Sequence, residues 1–127
     1  MSATPVTCPS VILIVEDEED TRELLKEILE DRGFQVATAV DGVAALEFLA
    51  AGKAVCMVLL DLVMPRLNGF RVIEALSADP ALARIPVCIT TSSPESAPPG
   101  FPLLRKPVDI SRLFAIVESY CGPGAPT

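Results

Sequence analysis

Reactive side chains in this sequence stand directly after hydrophobic runs. VILIV (11–15) is followed by Glu16 and Asp17, and AVCMVLL (54–60) by Asp61. PVCITT (86–91) ends in Thr91 with Ser92 behind it, and LLR (103–105) leads into Lys106-Pro107. Three carboxylates held together would repel one another, and a divalent cation with oxygen ligands relieves that repulsion. Magnesium suits the set, because it accepts a few protein oxygens and leaves other positions to water and phosphate.

Taken singly, each residue has a plainer reading. Glu16 and Asp17 could cap the helix that follows them. Asp61 could make an Asx turn ahead of Pro65. Thr91 is an ordinary strand former, and Lys106 could be a solvated surface charge. The plain readings weaken together, because every one of these residues occupies the same place relative to a hydrophobic run.

The runs and the segments between them are the elements that must position the site. VILIV is a continuous β-branched and aliphatic stretch, as expected of a strand covered on both faces. Leu24, Leu25, Ile28 and Leu29 recur at helical spacing behind the acidic EDEED, with Gly33 as a stop. Residues 35–39 read as a second strand. Asp41-Gly42 opens a helix carrying Val43, Leu46 and Leu49, and Gly52-Lys53 closes it. Residues 54–60 form the third strand. Phe70, Ile73 and Leu76 mark the next helix, which ends near Asp79-Pro80. Residues 86–91 and 103–105 are the fourth and fifth strands. The last helix spans 109–120 with Leu113, Phe114 and Val117 on its apolar side, and Gly122-Pro123 ends it. Between Ser92 and Pro102 the segment SSPESAPPGFP holds four prolines, which argues against a full helix. Strands alternating with helices imply one doubly wound, five-stranded parallel α/β sheet, with its site at the carboxyl ends of the strands.

Composition narrows the function. The length suits one domain, and half of the 127 residues are hydrophobic. The net charge of −7 disfavours nucleic acid or an anionic membrane as partner. There is no histidine, so Ser–His–Asp and Cys–His chemistry, His-ligated zinc and a phosphohistidine carrier are excluded. The four cysteines, Cys8, Cys56, Cys88 and Cys121, lack the paired spacing of a metal site. They read as reduced thiols, with Cys56 and Cys88 acting as small core hydrophobes in a cytoplasmic protein. No signal peptide is evident, and no apolar stretch reaches the length of a membrane span. Residues 1–10 read as a loose lead-in, 11–120 as the domain, and 121–127 as a flexible tail.

The sequence resembles the receiver domain of two-component response regulators. The matching pieces are LIVEDEED, VLLDLVMPRLNG, IPVCITTS and RKP, in the family's order, over residues 11 to about 118. The resemblance implies a flavodoxin-like fold. It implies that Asp61 accepts a phosphoryl group from the phosphohistidine of a histidine kinase or phosphotransfer protein. Glu16, Asp17, Asp61 and the backbone carbonyl of Val63 would hold Mg²⁺. Lys106 would neutralise phosphate charge, and Thr91 would move toward the phosphoryl oxygens to report the modification to a downstream protein. Such a protein catalyses at most its own phosphorylation and dephosphorylation.

Three features depart from the family. Thr91 and Lys106 stand closer together than usual, so the fourth helix is expected to be shortened or missing. Leu103 takes the position of the family's switch aromatic, with Phe101 nearby but out of register. The acid pair is Glu-Asp, not Asp-Asp. Among rivals, a haloacid-dehalogenase-type phosphatase would need an aspartate where Val63 stands. A flavodoxin would need a hydroxyl-rich phosphate loop where EDEED stands. The remaining alternative is a pseudo-receiver, the same fold serving as a docking module without phosphorylation.

Overall fold

A computed structural model describes residues 11–62 and 69–122. The chain alternates β1 (Val11–Val15), α1 (Glu19–Asp31), β2 (Val36–Ala39), α2 (Gly42–Ala50), β3 (Val55–Asp61), α3 (Gly69–Ala78), β4 (Val87–Thr91), β5 (Leu103–Arg105) and α4 (Ile110–Cys121). The five strands are all parallel, in the order β2-β1-β3-β4-β5. Order reverses at β1, so the chain winds one way from β1 to β2 and the other way from β3 to β5. Such a reversal opens a crevice beyond the strand ends.

Alternation along the strands splits the core in two. Leu13, Val15, Val58 and Leu60 face α2 and α3, where Ala45, Leu49, Val72 and Leu76 close the layer. Ile12, Ile14, Met57, Leu59 and Cys88 face α1 and α4, meeting Leu25, Leu29, Leu113 and Val117. The central strands are buried on both faces, which is why they read as unbroken apolar runs. The amphipathic stripes are narrower than the sequence suggests. Leu24, Val43 and Phe70 are largely exposed, because each helix sets only one stripe on the sheet and these residues lie on its flank.

Side chains cap the starts of α2 and α4. Asp41 caps α2 by accepting from the Ala44 amide at 2.8 Å. Asp109 caps α4 by accepting from the amides of Ser111 and Arg112. Such caps contribute about 1 kcal/mol each. The guanidinium of Arg32, just beyond α1, lies 4.0 Å from the Phe114 ring centroid and 3.5 Å from the Glu118 carboxylate. That joins the ends of α1 and α4.

Two expectations are corrected. Four α-helices are present among the described residues, against the expectation of a short or missing fourth, and the last of them, Ile110–Cys121, runs for 12 residues. The proline-rich link from β4 to β5 contributes a single 3₁₀ turn, Pro94–Ser96. The cysteines are the second correction. Cys56 and Cys121 form a disulfide with Cα atoms 5.5 Å apart, so neither is a free thiol and Cys121 belongs to α4, not to a loose tail. The cause is local. Val11 pairs with Val55 but Ile12 with Met57, which leaves Cys56 as an extra residue in β3. This bulge turns Cys56 to the side of Met57, against the cluster that α4 covers. Cys88 behaves as expected of a core thiol: it is buried, and burial pushes its pKa up to about 12. Cys8 lies outside the described residues, as do the rest of 1–10 and 123–127.

Candidate functional site

The crevice beyond β1, β3 and β5 gathers the acids and the ammonium. Carboxylate oxygens of Glu16, Asp17 and Asp61 lie within 4.8 Å of one another. Glu16 and Asp61 are buried and Asp17 is exposed at the rim. The Lys106 ammonium reaches in from the far side of the sheet, 2.9 Å from Glu16 Oε1 and 3.4 Å from Asp61 Oδ2. Asp61 is itself the last residue of β3, paired in register with Thr90, so the buried end of the strand fixes its backbone.

Lys106 is held there by its backbone. Its amide donates to the Thr91 carbonyl at 2.9 Å, continuing the β4–β5 ladder by one residue. The Lys106–Pro107 peptide bond is cis. Burial works to lower the ammonium's pKa, but the Glu16 hydrogen bond and the charges of Asp61 and Glu16 outweigh it, and the net shift is upward. The pocket therefore keeps this lysine charged.

Thr91 is buried at the end of β4. Its hydroxyl oxygen accepts from the Ser93 amide at 3.0 Å, which ties it to the loop that leads into the 3₁₀ turn. The expected carbonyl ligand, Val63, lies outside the described residues.

Two further residues shape the site: Arg22, which the sequence does not single out, and Gly69, the glycine that closes the motif VLLDLVMPRLNG. Arg22, in the first turns of α1, donates to the Glu16 carbonyl at 3.1 Å and to the Asp17 carbonyl at 3.4 Å. It thereby pins the acid-bearing loop from behind. The Glu18 amide donates to Glu16 Oε2 at 3.2 Å, so both oxygens of Glu16 are engaged. Nothing in an isolated arginine amid acidic residues distinguishes a clasp from a surface charge. Gly69 is the other. A Cβ there would sit 2.7 Å from Leu62 Cα and 2.8 Å from the Asp61 carbonyl oxygen. Its amide donates to the Leu62 carbonyl at 3.0 Å. Helix α3 thus starts in direct contact with the end of β3, and only a residue without a side chain fits.

Chemically, the arrangement offers clustered hard oxygen donors suited to a small divalent cation, a carboxylate able to act as nucleophile, and a charged amine beside it. No helix among the described residues is long and apolar enough to cross a membrane.

Comparison with known proteins points the same way. The profile of the response regulator receiver domain matches residues 12–118. The chain is 38% identical over 117 residues to response regulator PleD of Caulobacter vibrioides, covering 85% of this chain but only 25% of PleD. It therefore spans about a quarter of that relative's length. Among solved structures, a response regulator receiver protein from Pseudomonas putida superposes with a TM-score of 0.80 at 25% identity, covering 90% of this chain and 99% of that one. The receiver domain of a signal transduction histidine kinase from Syntrophus aciditrophicus gives 0.77 at 29% identity, covering 87% and 89%.

Proposed function

Since the chain belongs to the response regulator receiver domain family, we propose that it is a phospho-acceptor switch of two-component signalling, with Asp61 as the acceptor. The observation that carries this reading is the Lys106 ammonium set between Glu16 and Asp61 at the mouth of a three-carboxylate cluster. A carboxylate oxygen of Asp61 attacks the phosphorus of a phosphohistidine. An O–P bond forms, the N–P bond breaks, and the imidazole nitrogen leaves with the electron pair. The product is an acyl phosphate. The donor is a histidine kinase or a histidine phosphotransfer protein, since this chain has no histidine of its own.

Phosphoryl transfer depends on alignment and on charge stabilisation of the equatorial oxygens. Glu16, Asp17 and Asp61 would hold Mg²⁺, which supplies positive charge to those oxygens when bound. Lys106, already in contact with Glu16 and Asp61, supplies a second cation. The Thr91 hydroxyl oxygen accepts from the Ser93 amide in this state, and its own proton is the donor that turns toward a phosphoryl oxygen. Doing so re-forms the loop running into Pro94–Ser96, the two-state element that added charge biases. The protein works in the cytoplasm, alters the binding of a downstream protein, and catalyses at most its own phosphorylation and dephosphorylation.

A docking module without phosphorylation is the second reading. The single 3₁₀ turn joining β4 to β5 favours it, because the response loop is short. Intact mass after incubation with acetyl phosphate and Mg²⁺ separates the two. The switch gains one phosphoryl group and Asp61→Asn gains none. An unchanged wild-type mass under several donors supports the docking module.

A further inference from the structure

We propose that Cys56 and Cys121 form a reversible thiol–disulfide site that clasps the last turn of α4 to β3 when oxidised and releases it when reduced. The pair is built, not incidental. Strand parity alone would point Cys56 to the same side as Val58 and Leu60, toward α2 and α3. The bulge at Cys56 reverses that and brings it to the face covered by α4. On the helix, Leu113, Val117 and Cys121 recur at four-residue spacing, so Cys121 continues the stripe that packs on this face. Two independent local features thus converge on one bond.

The bond is placed for exchange. Both cysteines are half-buried, at the rim of the sheet and the end of a helix, where a dithiol reductant can reach a sulfur. The core beneath α4 is closed by more than the bridge, since Leu113 and Val117 are fully buried and Phe114 and Ile116 pack beside them. Beyond Val117 the helix end rests on the Glu118–Arg32 ion pair and on the Gly122 amide bonded to the Glu118 carbonyl. Cys88, the free thiol of the same cluster, is fully buried with its thiol held protonated, so it does not compete. The chemistry balances simply. A thiolate of the dithiol attacks one sulfur, the S–S bond breaks, and the mixed disulfide is resolved by the reductant's second thiol. Two electrons and two protons pass to Cys56 and Cys121, and the reductant leaves as its own disulfide. Cytoplasmic disulfides are generally of this transient kind.

The test uses the full chain in a Cys8→Ser background. It is treated with diamide or with dithiothreitol, then mapped by differential alkylation, with amide exchange read in both forms. Oxidised protein shows Cys56 and Cys121 blocked, and dithiothreitol frees both without unfolding. Exchange at residues 118–122 then rises roughly tenfold, as expected of a local opening. Cys121→Ser reproduces the fast exchange in the presence of oxidant. The proposal is overturned if the two cysteines stay alkylatable under diamide, if the bridge resists dithiothreitol until the protein unfolds, or if exchange is the same in both forms. None of these readouts involves phosphoryl transfer, so the result stands whether or not Asp61 is phosphorylated.

Discussion

Replacing Gly69 with alanine isolates the contact that sets the phospho-acceptor's position. The added methyl carbon would lie 2.7 Å from Leu62 Cα and 2.8 Å from the Asp61 carbonyl oxygen, and 3.1 Å from a Leu62 methyl. The Leu62 methyl can rotate aside, but the first two atoms are backbone at the buried end of β3 and the residue just after it. Either α3 or the end of β3 must move by several tenths of an ångström. Overpacking of this kind costs about 1–3 kcal/mol. Alanine's better helix propensity returns at most ~1 kcal/mol. The net loss of about 1–2 kcal/mol corresponds to a Tm lowered by roughly 3–10 °C for a domain of this size. Displacing Asp61 also spoils alignment, and misplacement on the ångström scale can cost about a hundredfold in rate. We expect phosphorylation by acetyl phosphate to slow by ~10–100-fold in Gly69→Ala. Gly100→Ala is the control: its φ of 93° strains alanine, yet nothing lies within 4 Å of the added atom. It should lose about 1–2 kcal/mol of stability and keep its phosphorylation rate. Melting curves and a phosphorylation time course measure both effects. If Gly69→Ala melts and reacts like wild type, the close approach of α3 does not position Asp61.

Other outcomes follow from the same geometry. The pKa of Lys106 is raised above the ordinary 10.5, so its ion pairs stabilise the fold in full below that pH and are lost as pH climbs through the higher folded value. The Tm gap between wild type and Lys106→Met should hold steady across neutral pH and close only in strong alkali; a gap already gone by mildly basic pH contradicts it. Magnesium should raise the Tm of wild type, by about 2.7 kcal/mol of stabilisation at a hundredfold excess over Kd. Asp17→Asn should blunt that gain, and a chelator should remove it; calorimetry with equal gains in both proteins would discard the carboxylate cluster as the ion's seat. Arg22→Ala removes the hydrogen bonds to the Glu16 and Asp17 carbonyls and should weaken magnesium binding by titration calorimetry, at a stability cost of about 1 kcal/mol. Unchanged affinity would confine Arg22 to the surface.

The strand ends were readable because buried parallel strands must be apolar and their termini must not be. That contrast located Glu16, Asp61, Thr91 and Lys106 within a residue or so of where β1, β3, β4 and β5 stop. Proline content likewise marked the β4–β5 link as lacking a long helix. What escaped the sequence depends on register and distance. Cys56 reads as a core thiol until a one-residue shift between β1 and β3 turns it toward Cys121. Arg22 reads as a solvated charge until the chain folds back over it. Leu24 and Phe70 fit a helical period yet face solvent, because periodicity gives the stripe but not its width.

The outermost strands are only four and three residues long. Pro102 and Pro107 bracket the shorter one, and the Arg112 guanidinium occupies its Leu103 carbonyl at 3.3 Å. Few vacant amides remain along either border for a neighbouring molecule to zip onto. Short, proline-bracketed borders of this kind are one device by which sheet proteins discourage lateral growth into fibrils.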